Sequence, residues 1–270
     1  MPPPSDSPAH IDEMVRRVHD LVEAARALPA AELYRKLAMI DRALAVFVGN
    51  AVEMRATLTE MESLAGWMPT AGVEEQAAFE THLDEIDRLL HNFLAAGFSL
   101  SSYTQTLRSK VDDPGFTEKY DQRNPFTDPQ AQVVHHLRND VQHARLPAIR
   151  LNVNWVAGPP AAWTITFTIS RSSLEGLKVN AATRAYLAAL DADLPLQDLV
   201  DDHANRVQAF TTWFIAAVIE HRAAEFDQLA QMRSEASLIA EPLEKFFELR
   251  LLDRPVSATD VKRTESGTGD

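Results

Sequence analysis

Cysteine is missing from this sequence altogether. Disulfide bonds, thiolate metal ligands and a nucleophilic thiol are therefore excluded, and the absence fits a reducing compartment. The first ten residues, MPPPSDSPAH, also lack the basic and apolar stretches of a secretory signal. We accordingly expect a cytoplasmic protein.

Long apolar runs are missing as well. No stretch approaches the roughly 18 consecutive apolar residues that a membrane-spanning helix requires, so we expect no membrane partner. With 46% hydrophobic and 24% charged residues over 270 positions, the composition is that of a globular chain long enough to bury a core.

Positive charge is scarce. The 26 Lys and Arg residues are outnumbered by 39 Asp and Glu residues, which gives a formal net charge of −13. Proteins that bind nucleic acid without regard to its sequence neutralise phosphates with broad basic patches. The charge balance argues against such binding, although it leaves room for a small basic site or a basic protein partner.

Several widespread catalytic motifs are absent too. The sequence has no glycine-rich phosphate loop, no Gly-x-Ser-x-Gly nucleophile elbow and no His-Glu-x-x-His zinc motif. We therefore expect neither a cofactor nor a metal site.

Helical periodicity dominates what is present. Apolar residues recur three and four positions apart along most of the chain, which is typical of amphipathic helices. A long proline-rich segment, residues 112–129, instead predicts an ordered loop or flap. The predicted helices span residues 10–28, 30–64, 73–111, 129–146, 180–190, 196–240 and 241–253.

The apolar period changes to two in the stretches LNVNW (151–155) and WTITFTI (163–169). Such alternation, interrupted by a Gly-Pro-Pro connection, predicts a β-hairpin at about 149–170. We interpret its apolar side as a face buried against helices rather than as a platform for stacking bases.

These patterns together predict a mainly α fold. We expect a helical bundle with long antiparallel helices and one β-hairpin, which follows the helix at 129–146. Asp128 is a good N-cap for that helix and Pro129 suits its first turn. A single helical domain should cover residues 9–253, between disordered tails at 1–8 and 254–270.

The most informative stretch is HHLRNDVQHARL, residues 135–146. On a helix, Asn139 and His143 share a face and Arg138 borders it. His143 would lie in the last turn, where the partial negative charge of a helix C-terminus favours an imidazolium. The stretch therefore predicts a cluster of side chains that can exchange protons and bind an anion.

These residue types suit phosphoryl transfer. A histidine that titrates near neutrality exchanges protons with a reacting hydroxyl. An arginine offers a planar fork of donors that stabilises growing charge on a phosphate. Arg138 and His143 together fit cleavage of RNA without metal, in which a base removes the 2′-OH proton and a cation binds the scissile phosphate.

The string LRNDVQHARLP (137–147) resembles the signature of HEPN domains, the "higher eukaryotes and prokaryotes nucleotide-binding" superfamily. That signature is an Arg, a polar residue and a His four to six residues after the Arg, on a helical bundle. The stretch LLHNFLAAGFSLSSYTQTLR (89–108) is similar to the long helix that precedes the signature in some members. The resemblance covers about residues 75–250, and its specific part is the Arg-Asn-x-x-x-His core.

The resemblance implies a metal-independent RNase of toxin or defence type, acting as a homodimer whose two signatures form a composite cleft. Carried over by position, Arg138 would hold the phosphate, His143 would be the general acid and base, and Asn139 would orient one of them. RNA or a nucleotide is then the expected ligand, and an antitoxin or another protein is a further expected partner. The acidic charge balance and Asp140 inside the signature depart from a strongly RNA-binding surface.

Other interpretations stay open. A HEPN-like module can be catalytically silent and bind a nucleotide or a partner protein, and a helical scaffold without a site is a third alternative. His135 and His136 are interpreted as bystanders of the signature. Tyr120, Arg123 and Asn124 are interpreted as ordinary loop residues rather than as the flank of a cleft.

Two further sets of residues have the spacing of metal ligands on one helix face. Each would need ligands from another helix, and no such partner motif is visible, so we expect a metal site at neither and interpret the second set as a solvated acidic face. The sets are His136, Asp140 and His143, and Glu80, Asp84, Asp87 and His91.

Overall fold

The computed structural model shows a mainly helical protein with a small antiparallel sheet, which confirms the predicted fold class. Contacts between Cα atoms divide the chain into two compact units, residues 1–35 with 219–270 and residues 36–218. The predicted tails lie outside the described residues, apart from Pro8. The structure describes residues 8–63, 73–142, 149–156, 162–175, 179–190 and 192–247.

The secondary-structure elements follow one another in a long series of helices that is interrupted by the hairpin. The helices are α1 (Pro8–Ala27), α2 (Pro29–Ser63), α3 (Val73–Arg108), α4 (Pro114–Arg123), α5 (Pro129–Gln142), α6 (Arg171–Glu175), α7 (Ala181–Ala188), α8 (Leu196–His221) and α9 (Ala223–Phe247). The strands are β1 (Ile149–Val156), β2 (Ala162–Ile169) and β3 (Leu194–Pro195), and a 3-10 turn spans Pro125–Thr127. None of the helices described here has an apolar stretch long enough to cross a membrane.

The unit made of residues 1–35 and 219–270 is held together by α1 and α9. Val18 of α1 and Ala240 of α9 belong to one buried apolar cluster. A second cluster joins Ala25 to Leu229 of α9, and an ion pair of 2.7 Å links the side chains of α1 and α9 at its surface. The apolar stripe predicted for the first helix therefore has α9 as its packing partner.

The core of the 36–218 unit includes buried residues of α2, α3 and α8. Phe47 of α2 stacks on Phe93 of α3, with ring centroids 4.8 Å apart. Gly97, one turn further along α3, permits this approach, because a β-carbon there would lie 3.2 Å from the Phe47 ring. Both rings are almost wholly buried, so α2 and α3 pack closely at this level.

Residues 112–129, predicted as a long loop, are mostly helical. The Asp113 side chain accepts a hydrogen bond of 2.9 Å from the backbone N–H two residues further on, and Pro114 occupies the first turn of α4. Phe116 and Tyr120 are four residues apart and both bury their rings. Tertiary packing stabilises so short a helix, and the loop prediction is wrong over most of this segment.

The hairpin has the predicted position and one buried face. β1 pairs antiparallel with β2, with Leu151 opposite Phe167 and Val153 opposite Ile165. On β2, Ile165, Phe167 and Ile169 are buried. On β1, which lies at one edge of the sheet, Val153 is 39% exposed, because an edge strand has a neighbour on one side only.

The helix predicted over 196–240 is in fact two helices, α8 and α9. Arg222 lies in the turn between them, and its guanidinium forms an ion pair of 2.5 Å with Glu225 in the first turn of α9. The separate helix predicted over 241–253 is also wrong as far as Phe247, because α9 continues to that residue. Residues after it lie outside the described part of the chain.

Candidate functional site

The start of α5, the helix that carries Arg138, is fixed by two sets of hydrogen bonds. One carboxylate oxygen of Asp128 accepts from the Ala131 backbone N–H at 2.8 Å, which confirms the predicted N-cap. The other accepts from Arg206 of α8 at 2.5 Å. Arg206 also donates to the Gln130 side chain. Asp128 therefore caps α5 and ties it to α8 at the same time.

Arg138 lies next to the buried face of α5 and is itself half-buried. Val133, Val134 and Leu137 are all at most 5% exposed. The guanidinium carbon of Arg138 lies 3.9 Å from the centroid of the Phe98 ring on α3. A cation over an aromatic face is attracted by the ring's quadrupole, so this stack holds the guanidinium beside α3.

A cavity of about 180 Å³ lies next to this stack. Its walls come from α3, the 3-10 turn, α5 and α8. The apolar lining residues are Leu94, Gly97, Phe98, Phe126, Ala131 and Val134. The polar lining residues are Ser101, Gln132, His135, Arg138 and His203.

The cavity has a buried end and an exposed end. Leu94 and His203 are each 2% exposed, whereas Phe98 is 38% exposed and His135 is also exposed to solvent. A ligand would therefore enter past Phe98 and His135 and reach His203 last.

His203 lies among aromatic rings at the buried end. Its ring centroid is 6.0 Å from that of Phe47, 5.9 Å from that of Phe93 and 6.2 Å from that of Phe126, and each pair is edge-on. Within the described part of the chain, Nδ1 has no hydrogen-bond partner. Burial, assisted by the positive charge of Arg206, lowers the pKa of His203 from 6.5 to about 4. The imidazole is therefore neutral at neutral pH.

His135 lies at the exposed end of the cavity. Its ring centroid is 5.8 Å from that of Phe98 and 5.8 Å from that of His136. Partial burial lowers the pKa of His135, and the positive charges of His136 and Arg138 lower it further. Although the sequence suggested a bystander, His135 lines the same cavity as Arg138.

Of the three predicted catalytic residues, only Arg138 has a described side chain. Asn139 belongs to α5, but its side chain is outside what the structure describes, and His143 is outside it entirely. The pairing of Arg138 with His143 stays a prediction. The same holds for the metal set, because the Asp140 side chain and His143 are not described.

The acidic stripe of α3 does not form a metal site with the other described side chains. Among the residues whose side chains are described, no three His, Asp or Glu side chains converge. Burial next to the like charge of Asp84 raises the pKa of Asp87. The stripe is thus a helix face with one partly buried carboxyl.

The residues interpreted as loop residues have structural contacts. The Tyr120 hydroxyl donates to the Thr104 hydroxyl at 3.4 Å. The Arg123 guanidinium lies 4.9 Å from the centroid of the Trp213 ring, and the Asn124 side chain accepts a hydrogen bond of 3.1 Å from a backbone N–H of the 3-10 turn. These contacts stabilise α4 and its connection to α5.

Three lining residues, His203, Gln132 and Ser101, were not predicted from the sequence. One signal was present, because His203 occupies the apolar stripe of α8, between Val200 three residues before it and Val207 four residues after it. A histidine on such a stripe is buried when the helix packs. The side chains of Ser101 and Gln132 come together with it only through the packing of α3, α5 and α8.

No family model, curated protein or solved structure matches this chain. The interpretation of the site therefore depends on its own residues and geometry.

Proposed function

We propose that this protein is a HEPN-like, metal-independent RNase of toxin or defence type, with Arg138, Asn139 and His143 as its catalytic residues. The position of Arg138 carries the proposal, because this half-buried cation lies against Phe98 at the edge of a cavity. A guanidinium whose face is held by a ring can still present its donors to a phosphate. The anchoring of α5 through Asp128 further supports a positioned arginine.

In the proposed reaction the neutral imidazole of His143 removes the proton of an RNA 2′-OH. The 2′-oxygen attacks the adjacent phosphorus and the bond from phosphorus to the 5′-oxygen breaks. His143 returns the proton to the leaving 5′-oxygen, so the products are a 2′,3′-cyclic phosphate and a 5′-hydroxyl. Arg138 stabilises the negative charge that grows on the phosphate oxygens, and Asn139 orients one of these two residues.

We further propose that the active form is a homodimer with facing signatures. A net charge of −13 leaves little basic surface on one copy, and a second Arg138 would double the local positive charge. The same acidic surface would attract a basic protein partner such as an antitoxin.

The test is incubation of the purified full chain with RNA in EDTA. We expect cleavage products that end in 2′,3′-cyclic phosphate. His143→Ala and Arg138→Ala should each lower the rate by about a hundredfold or more, the usual contribution of a positioned acid–base group or charge-stabilising donor. Exposed residues on α3 and α7 supply the matched controls, His91→Ala and Arg184→Ala, and both should cleave at the wild-type rate.

Two results would contradict the proposal. Cleavage that survives His143→Ala would remove the general acid and base, and activity that EDTA abolishes would instead favour a metal-dependent reaction.

The cavity itself favours a second candidate, a catalytically silent HEPN-like module that binds a nucleotide or a partner protein. At about 180 Å³ the cavity is smaller than the roughly 300–1,000 Å³ of pockets for drug-sized ligands. It would therefore enclose only part of a nucleotide, with the phosphate at Arg138. Binding of uridine monophosphate by a protein that never cleaves RNA would favour this candidate.

A further inference from the structure

The outer edge of β1 has no partner strand among the residues that the structure describes. The sheet order is β1-β2-β3, and β1 pairs antiparallel with β2 along its whole length, residues 149–156. In an antiparallel ladder, alternate residues direct their backbone N–H and C=O groups to one neighbour, and the residues between them direct theirs to the other side. β1 therefore offers a row of backbone donors and acceptors about 26 Å long to a further strand.

This edge lacks the features that usually prevent sheet edges from pairing. Natural edge strands often carry a proline, a lysine or a bulge. The sequence IRLNVNWV (149–156) has neither proline nor lysine, and its pairing with β2 is continuous. Its single charged residue, Arg150, forms an ion pair of 3.6 Å with Asp193. Asp193 directly precedes β3, on the far side of β2, so the guanidinium extends across the sheet and away from the edge.

The apolar face of the sheet is incompletely covered at β1. On the central strand, Ile165 and Phe167 are buried. Val153 lies directly opposite Ile165 on β1 and is 39% exposed, and Leu151 is partly buried. A further strand beside β1 would cover Val153 with its own apolar side chains, which is favourable.

The charges of the strands indicate which partner suits this edge. Neither 149–156 nor 162–169 contains an aspartate or a glutamate, in a chain whose net charge is −13. A basic segment would find no carboxylate on β1, and an acidic segment would find only Arg150, which is paired with Asp193. Two copies of an acidic protein repel each other least where their surfaces lack carboxylates. The edge therefore suits a strand with little charge and alternating apolar residues, and β1 is itself such a strand.

Two β1 strands are also complementary by symmetry. A two-fold axis perpendicular to the sheet keeps both apolar faces on the same side, and it passes between two identical residues. Two registers leave only one residue of each strand unpaired, one centred on Asn152 and the other on Val153. In either register the residues opposite Leu151 and Val153 are apolar, and Arg150 lies opposite an uncharged residue.

We propose that β1 pairs antiparallel with β1 of a second copy, so that two three-stranded sheets become one continuous sheet across a two-fold axis. An interface made of one strand pair is at the small end of the range for specific complexes, so the dimer should dissociate on dilution. This interface rests on the homodimer proposed above and gives it a surface. Its formation does not depend on RNA cleavage, because none of Arg138, Asn139 and His143 belongs to β1.

The first experiment is sedimentation equilibrium of the full chain over a range of concentrations. We expect a monomer–dimer equilibrium that tightens as salt is added, because salt screens the repulsion between two acidic copies. Val153→Asp puts a carboxylate into both strands and should raise the dissociation constant about tenfold or more. Val52→Asp, at an exposed valine of α2, is the matched control and should dimerise like the wild type.

Disulfide formation locates the pairing without a disruptive change. The chain has no cysteine, so a variant with one introduced cysteine can form a disulfide only between copies. Asn152→Cys or Val153→Cys, whichever residue lies at the axis, should form a covalent dimer on mild oxidation, because directly opposite β-carbons come close enough for a disulfide. Thr164→Cys, at an exposed position of the central strand, is the matched control and should remain monomeric on a non-reducing gel.

Hydrogen exchange on the unaltered protein does not depend on how well the variants fold. The backbone amides of 149–156 that do not pair with β2 should exchange rapidly in the dilute monomer. In the concentrated dimer they should exchange about tenfold more slowly or less, because the second strand protects them.

Several results would overturn the proposed interface. They are a wild type that stays monomeric at millimolar concentration, a dimer that salt weakens, a dimer that Val153→Asp leaves intact, and the absence of a disulfide from both Asn152→Cys and Val153→Cys. Protection of all β1 amides in the monomer would also overturn it, since another segment of the same chain would then cover the edge. A dimer formed through another surface would leave the homodimer and RNase proposals intact, whereas a β1 dimer that never cleaves RNA would overturn the RNase proposal alone.

Discussion

Two regions of the 36–218 unit surround α8 with aromatic rings in different ways. Around His203 the rings of Phe47, Phe93 and Phe126 enclose an imidazole, and a cavity remains beside it. Two turns further along α8, rings contact one another directly, with centroids 5.3 to 6.2 Å apart. This second region, the aromatic cluster, consists of Phe116, Tyr120, Phe210, Trp213 and Phe214.

The two regions also differ in whether their buried polar atom has a hydrogen-bond partner. The Tyr120 hydroxyl donates to the Thr104 hydroxyl, whereas Nδ1 of His203 has no partner among the residues described. A polar atom paired inside the core contributes to the fold. Nδ1 of His203 makes no such contribution, because it is buried without a partner among the described residues.

The largest effect should come from breaking the aromatic cluster. Phe214 has no exposed surface and contacts Phe116, Tyr120 and Phe210. Phe214→Ala should therefore lower the free energy of unfolding by about 3–5 kcal/mol, as is usual for a large core side chain. Chemical denaturation of the variant and the wild type measures this.

Phe98→Ala is the matching change at the mouth of the cavity. Because Phe98 is 38% exposed, the same truncation should cost less than half as much there. Equal losses at Phe98 and Phe214 would contradict a difference in packing between the two regions.

The next effect is a dependence of stability on pH that comes from His203. In the unfolded chain its pKa is the ordinary 6.5, and in the fold it is about 4. Between these values the unfolded chain binds a proton that the folded protein does not bind, so stability falls as the pH falls from 6.5 to 4. Each factor of ten in proton affinity is worth about 1.4 kcal/mol, so the loss is about 3 kcal/mol, and it ceases below pH 4.

Denaturation series from pH 7 to pH 4 measure this loss. His203→Phe should remove most of it, and His91→Gln, at an exposed histidine of α3, should retain it. The lowered pKa of His135 acts in the same direction, so a smaller slope should remain in His203→Phe. A pH dependence identical to that of the wild type would mean that His203 is not neutral in the fold.

The sequence correctly predicted the fold features that depend on residues close together in the chain. Asp128 at the N-cap of α5 and the alternation in 163–169 were sufficient for the helix start and the hairpin. The helix α4 was missed because its apolar signal is only Phe116 and Tyr120, and the prolines around it also suit a loop. The turn at Arg222 was missed because hydrophobic spacing does not mark a break of one residue.

The cavity, in contrast, could not be predicted from local sequence signals. Arg138 was identified from its place in the signature, and the structure adds its contact with Phe98. Phe98, Phe126 and His203 are remote in sequence, and only tertiary packing brings them to one cavity. Asn139 and His143 remain predictions, since the structure describes the side chain of neither.

The smallest effect compares the two buried polar atoms directly. Tyr120→Phe removes a hydroxyl but leaves the Thr104 hydroxyl bonded to the Leu100 carbonyl at 3.0 Å. The loss in the free energy of unfolding should therefore be about 0.5–1 kcal/mol, the low range for one hydrogen bond. His203→Phe at pH 7 should show no loss, or a small gain, because it replaces an unpaired polar atom with an apolar one among aromatic rings. Both variants would be compared with the wild type by denaturation at pH 7. A loss at His203 as large as that at Tyr120 would mean that its imidazole contributes to the fold after all.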